Sequence, residues 1–126
     1  MSEAVLDASA LLALLNGEAG SEAVAAIMSE AVISSVNLSE VVAKLADHGM
    51  GEKDLRGLIE GLGINVIAFD EAQAYAAGLM RPATRSAGLS LGDRACLALA
   101  RLRRAPAYTT DRSWKATIGV KVHTIR

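Results

Sequence analysis

The chain has 126 residues, 52% of them hydrophobic, with 13 Lys and Arg against 14 Asp and Glu for a formal charge of -1. That length supplies one core and leaves no room for a second, so a single domain is expected over residues 1–126. The near-neutral charge gives no whole-molecule field to draw in a polyanion, so any nucleic-acid contact must rest on a local basic patch. Aromatic residues, at 3%, leave the core to Leu, Val, Ile and Ala, which suits helices packed on a small sheet.

A first strand is predicted at Ala4–Leu6. The apolar run that follows, Ala8 to Leu15, is too short to span a bilayer, and acidic residues precede it where an export signal would carry Lys or Arg. Neither a membrane span nor an export signal is expected. Gly17 stops this segment, and a second strand is predicted at Val32–Ser34. Leu38, Val41, Val42 and Leu45 then recur at helix-face spacing, as do Leu55, Leu58, Ile59 and Leu62, with Gly49 and Gly63 as stops. A third strand, Val66–Phe69, leads to a helix begun near Asp70 and ended by Pro82. Ser90 offers an N-cap to a helix from Leu91 to Leu102 that is apolar on nearly every side and is expected to be largely buried. Strands at Ala107–Thr109 and Val120–His123 close the chain. Cys96, the only cysteine, lies in an apolar run, which fits a buried thiol in a reducing compartment and makes the cytoplasm the expected location.

Strands joined through helices should run mostly parallel with right-handed crossovers, and a ligand site is then expected beyond their carboxyl ends. Four acids fall where that rule points. Asp7 follows the first strand, Asp111 follows the fourth, and Glu40 and Asp93 open helices near the same edge. Each has a plain structural explanation as well. Asn37-Leu-Ser-Glu40 and Ser90-Leu-Gly-Asp93 both read as capping boxes, and Asp70-Glu-Ala-Gln73 shows the same pattern with no further sign of function. Asp7 and Asp111 equally suit turn or cap positions. A set of carboxylates without His or Cys suits Mg²⁺ or Mn²⁺, which take oxygen ligands.

Taken together, Asp7-Ala-Ser9, Asn37 to Glu40, Gly88-Leu-Ser-Leu-Gly-Asp93 with the following Ala-Cys-Leu-Ala-Leu-Ala, and Tyr108-Thr-Thr-Asp111-Arg-Ser-Trp114 form a recognisable order of motifs. In these residues the chain resembles the PIN-domain ribonucleases, and within them the toxins of VapBC-type toxin-antitoxin modules, from its first strand to its last. The resemblance implies an α/β/α sandwich with a parallel five-stranded sheet ordered 3-2-1-4-5. It implies Asp7, Glu40, Asp93 and Asp111 as the catalytic, metal-holding acids, with Ser9, Thr110 and Ser113 as polar support. It further implies Mg²⁺- or Mn²⁺-dependent hydrolysis of RNA phosphodiesters, a homodimer, and a cognate antitoxin whose extended segment covers the groove.

Of the basic residues near these loops (Arg81, Arg85, Arg94, Arg112 and Lys115), Arg85 and Arg112 are the candidates for RNA-backbone contact. The polar loop from Pro82 to Leu89 either shapes substrate entry or simply connects two helices. Trp114 is expected to pack beneath the Asp111 loop rather than stack on a base, and His48 and His123 have no partner spacing that suggests a role. Two rival functions stand beside the nuclease. One is a phospho-acceptor receiver domain with Asp70 as acceptor and Lys121 as its partner, although Asp7 lacks the second acid that such domains carry after the first strand. The other is a PIN-like protein that binds RNA without cleaving it.

Overall fold

A computed structural model describes residues 3–114 and 119–126. Among these residues five strands form one sheet, β1 (Ala4–Leu6), β2 (Ala31–Ser34), β3 (Asn65–Ile67), β4 (Ala107–Thr109) and β5 (Val122–Thr124). Their order is β3-β2-β1-β4-β5, and every neighbouring pair is parallel, with Leu6 opposite Ile33 on one side and Tyr108 on the other. The chain builds outward from β1 through β2 to β3, then crosses to β4 on β1's other flank. The switch point therefore lies between β1 and β4, where loops leaving the carboxyl ends diverge and open a crevice.

Among the described residues seven helices flank the sheet: α1 (Ala8–Leu15), α2 (Ser21–Ala26), α3 (Ser35–Asp47), α4 (Glu52–Leu62), α5 (Glu71–Leu79), α6 (Arg81–Thr84) and α7 (Leu91–Arg103). A 3-10 turn, Met28–Glu30, leads into β2. Strand alternation divides the core into two layers. Leu6 and Ile33 face Leu11, Val24, Val41, Leu45 and Leu55 of α1 to α4. Val5, Val32 and Ala107 face the other way, onto Ala77, Met80 and the run from Cys96 to Ala100. Both β1 and β2 are buried along their whole length, the condition of a parallel sheet covered on both faces. Leu6, Leu11, Ile33, Leu97 and Leu99 are essentially sealed from solvent, and each such side chain stabilises the fold by about 1.5–3 kcal/mol through burial.

The sequence boundaries shift at the sheet edges for local reasons. β3 ends at Ile67 rather than Phe69, because beyond it the backbone turns to side-chain partners: the Gln73 amide donates to the Ala68 carbonyl, and the Phe69 N–H donates to Ser35 Oγ. β5 begins at Val122, while Val120 is buried in the core without belonging to the strand. Pro82 does not end α5. That helix stops at Leu79, and Pro82 occupies the first turn of α6, where its missing N–H costs nothing. The six-residue α2, which buries only Val24, carries too short an apolar pattern to be read from sequence. α7 is buried from Ala95 to Ala100 as its composition demands, yet Leu91 and Leu102 at its two ends are each 53% exposed.

Candidate active site at the carboxyl edge of the sheet

Asp7 directly follows β1 and caps α1. Its backbone is extended, and its Oδ1 accepts the Ala10 N–H at 2.8 Å, so the same carboxylate that opens the helix stands over the switch point. Two hydroxyls complete its shell. Ser9 Oγ donates to Oδ1 at 2.7 Å, and Thr109 Oγ1, at the end of β4, donates to Oδ2 at 2.6 Å. The direction of both bonds is fixed from behind. Ser9 Oγ accepts the Thr110 N–H at 3.0 Å, and Thr109 Oγ1 accepts the Asp111 N–H at 3.0 Å, which leaves each hydroxyl proton to point at Asp7.

Asp7 is only 5% exposed. Burial raises its pKa above the ordinary carboxylate value, against the lowering effect of the bonds from Thr109, Ala10 and Ser9, and the negative charge of Asp93 pushes in the same direction as burial. A positive charge near this carboxylate would relieve that cost.

Asp93 is set by α7. Ser90 Oγ accepts the Asp93 N–H at 3.1 Å while Asp93 Oδ2 accepts the Ser90 N–H at 2.8 Å, so the capping box expected from the sequence is fully formed. The other expected box is not. α3 begins at Ser35 with Ser34 as its cap, so Asn37 and Glu40 both lie inside the helix. Asn37 Nδ2 instead donates to Glu40 Oε1 at 2.9 Å and to the Gly92 carbonyl at 3.0 Å, tying α3 to the first turn of α7. At the Asp70 box only half the pattern forms, with Asp70 Oδ1 accepting the Gln73 N–H.

Asp7, Glu40 and Asp93 thus come to the wall of one pocket of about 280 Å³, together with Ser9, Asn37 and Lys44. A larger apolar groove between α3 and α4 involves none of these acids. Cys96 lies beneath the site, fully buried, its thiol pushed well up first by burial and then by the charges of Asp7, Asp93 and Glu40. Asp111 lies outside the pocket lining. It is exposed in the loop after β4, where its Oδ1 accepts the Ser113 N–H at 2.8 Å.

The remaining sequence candidates fall as follows. Thr110 reaches the site through its backbone N–H, and the hydroxyl that meets Asp7 belongs to its neighbour Thr109. Ser113 touches Asp111 through its amide. Arg85 is exposed in the turn after α6. Arg112 donates from Nε to the Arg126 carbonyl at 2.9 Å, and Arg94 reaches back to the Ala77 carbonyl on α5. Lys115 lies outside the described residues. Trp114 is buried in the core, and His123 stacks on Tyr108 with ring centroids 4.8 Å apart. Asp70 caps α5 beyond one edge of the sheet, whereas Lys121 enters the strand at the other edge from its amino end, so the receiver pair does not meet.

Sequence reasoning missed Thr109, Lys44 and the bridging role of Asn37. Thr109 was legible from strand alternation, which places it on the face of Ala107. Lys44 stands one turn beyond Glu40 on the same helical face. The cross-link from Asn37 to Gly92 joins residues 55 positions apart and leaves no local signal.

The donor chemistry of the pocket fits a hard divalent cation: carboxylate oxygens converge there without His or Cys ligands, and Asn37 on the same wall has a buried Oδ1 with no hydrogen-bond donor among the described residues. Among the described residues, no three His, Cys, Asp or Glu side chains are disposed to grip an ion directly. The carboxylates of Asp7, Glu40 and Asp93 are each engaged by protein donors.

An α/β/α sandwich with an acidic pocket over its switch point is the class that fold and site define. The chain belongs to the PIN-domain family, which matches residues 4–119. Among solved structures it is similar to a chain of a toxin-antitoxin complex from Klebsiella pneumoniae (TM-score 0.75, 21% identity, 98% of each chain covered). It is also similar to a chain of the DNA-bound VapBC of Salmonella typhimurium (TM-score 0.76, 20% identity, 100% of each). A third likeness is to VapBC-5 of Mycobacterium tuberculosis (TM-score 0.61, 22% identity, 100% of this chain and 99% of that one). At these identities the likeness is one of fold. No curated protein matches the chain in sequence. No helix among the described residues is long and apolar enough to cross a membrane.

Proposed function

We propose that this chain is a divalent-metal-dependent endoribonuclease, the toxin of a toxin-antitoxin pair. The observation that carries the reading is the meeting of Asp7, Glu40 and Asp93 on one pocket at the carboxyl edge of the sheet. When bound, Mg²⁺ or Mn²⁺ would supply Lewis acidity toward water and charge neutralisation toward a phosphodiester. Asp7, Glu40 and Asp93 would hold the cation, with Asp111 joining them from the loop after β4. Ser9 and Thr109 keep their protons on Asp7 and so hold its carboxylate in one orientation. Lys44, on the pocket wall, would meet the phosphate backbone, a contact that positions RNA without reading its sequence. Arg85 and Arg112 would extend that contact outward.

The similarity to chains from toxin-antitoxin complexes supports a cognate antitoxin as partner. The family resemblance in the motifs is the support for a homodimer acting in the cytoplasm on translation or growth. Purified, antitoxin-free protein incubated with transfer and ribosomal RNA in Mg²⁺ or Mn²⁺ tests the nuclease directly. Cleavage abolished both by EDTA and by Asp93→Asn is the expected result. RNA retained on the protein but left intact in every metal would replace the nuclease with the binding-only reading.

A further inference from the structure

We propose that Asn37 is a positioning residue of the acidic pocket, whose amide nitrogen seats the Glu40 carboxylate against Gly92 and whose amide oxygen offers a buried acceptor to the hydration shell of the cation. The proposal rests on the reading of this pocket as a cation site.

Asn37 is 1% exposed on the first turn of α3. A buried amide is costly unless its polar atoms are partnered, and Asn is not favoured within helices, so its presence here needs a cause. Half of that cause is visible. Nδ2 donates to Glu40 Oε1 and to the Gly92 carbonyl. Both partners are acceptors, which fixes the amide's orientation, since the reversed amide would set its oxygen against two others. Gly92 completes the seat. A Cβ at that position would lie 2.5 Å from each carboxylate oxygen of Glu40, so the carboxylate occupies the space that the missing side chain leaves. Glu40 is solvent-exposed in the second turn of a helix, and without this seat nothing would select one rotamer of its long side chain.

The other half is Oδ1. It is buried, belongs to a residue on the pocket wall, and has no hydrogen-bond donor among the described residues. The Ser9 hydroxyl, on the same pocket wall, does not serve it, because its proton is committed to Asp7. Water held by a hard cation presents its lone pair to the ion and its hydrogens outward, and those hydrogens need acceptors. Asn37 Oδ1 is a neutral acceptor on a residue that shares its pocket wall with three acids, which draw such an ion in. Partners of this outer kind orient ligands and tune a site almost as strongly as the ligands themselves.

The test is Mn²⁺ alone, titrated into metal-free protein and followed by electron paramagnetic resonance, for wild type, Asn37→Ala and Gly92→Ala, each also combined with Glu40→Gln. Asn37→Ala and Gly92→Ala are each expected to weaken Mn²⁺ binding about tenfold. In the Glu40→Gln background Gly92→Ala should add nothing, because its effect runs through the Glu40 seat. Asn37→Ala should still weaken binding there, through the lost oxygen. Gly92→Ala puts a favoured residue into a helix, so its folding is not in question and it carries the test if Asn37→Ala unfolds. Wild-type affinity in Asn37→Ala or in Gly92→Ala would overturn the proposal. A wild-type protein that binds no Mn²⁺ would instead overturn the cation reading on which it stands.

Discussion

The Thr109 hydroxyl donates to Asp7 at 2.6 Å and accepts the Asp111 amide at 3.0 Å, so one oxygen couples the acid after β1 to the acid after β4. Thr109→Val keeps the shape and removes both bonds. It leaves a nearly buried carboxylate short of one donor and the Asp111 N–H without its acceptor. The expected loss is about 1–3 kcal/mol of stability, measured by urea unfolding of the metal-free protein. Saturating Mn²⁺ should recover part of it, because a cation takes over the charge that the hydroxyl was solvating. An unchanged unfolding midpoint would show that the bond contributes nothing net.

Asp7 also sets a pH dependence. Its folded pKa lies above the ordinary carboxylate value of 3.8, with burial as the leading cause. Over the window between that value and the raised one, the native state holds more protons than the unfolded chain, so the Asp7 contribution to stability is complete below the window and is lost as pH rises through it. Metal-free wild type should therefore lose stability relative to Asp7→Asn as pH climbs from about 4 toward neutrality. A bound cation favours the ionised form, so with Mn²⁺ the wild-type slope should reverse. Thermal unfolding across pH, with EDTA and with Mn²⁺, reads both slopes. Parallel pH profiles for the two proteins in EDTA would contradict the burial argument.

The outline of this site was readable because it lies on period and punctuation. The strands carrying Asp7 and Asp111 are short apolar runs, and the 3-2-1-4-5 order implied by the motif resemblance is the observed order. Ser90 and Asp93 obey a local rule three residues long, which is why their box was visible and is present. Asn37 and Glu40 have the same spacing, but Ser34 caps the helix earlier, and the spacing is spent on a contact with α7 instead. Spacing alone cannot separate the two outcomes, because a residue at the third helical position and one at the cap differ only in where the helix starts. Strand alternation separates Thr109 from Thr110, because adjacent strand residues face opposite sides: Thr109 shares the face of Ala107, is buried, and turns its hydroxyl inward to Asp7.

Two glycines should respond oppositely to alanine. Gly20 precedes α2 with φ 95°, and a Cβ there would lie 2.6 Å from the Ile125 carbonyl oxygen, a backbone atom that cannot swing aside. Gly20→Ala is expected to cost about 1–3 kcal/mol. Gly61 lies inside α4 with nothing within 4 Å of its missing Cβ, so Gly61→Ala should add about 0.5–1 kcal/mol by restricting the unfolded chain. Denaturant midpoints of the two variants should bracket that of wild type.

Asp93 serves both as a helix cap and as a wall of the acidic pocket, and two substitutions separate those duties. In Asp93→Asn the side-chain oxygen can still accept the Ser90 N–H, so the box survives. What is lost is a negative charge at the positive end of α7, a cost of about 0.5 kcal/mol, offset in part by relief of the repulsion that Asp7 feels from Asp93. Stability should stay close to wild type while metal-dependent RNA cleavage falls by about 100-fold or more. Ser90→Ala does the reverse. It removes the hydroxyl that accepts the Asp93 N–H and should cost about 1 kcal/mol, but it leaves the charge at the pocket, so most of the cleavage rate should remain. Unfolding curves and cleavage rates measured on the same preparations decide the matter. If Ser90→Ala silences the enzyme as fully as Asp93→Asn, Asp93 matters there as a cap that holds α7 in place, and its charge has no separate part in the chemistry.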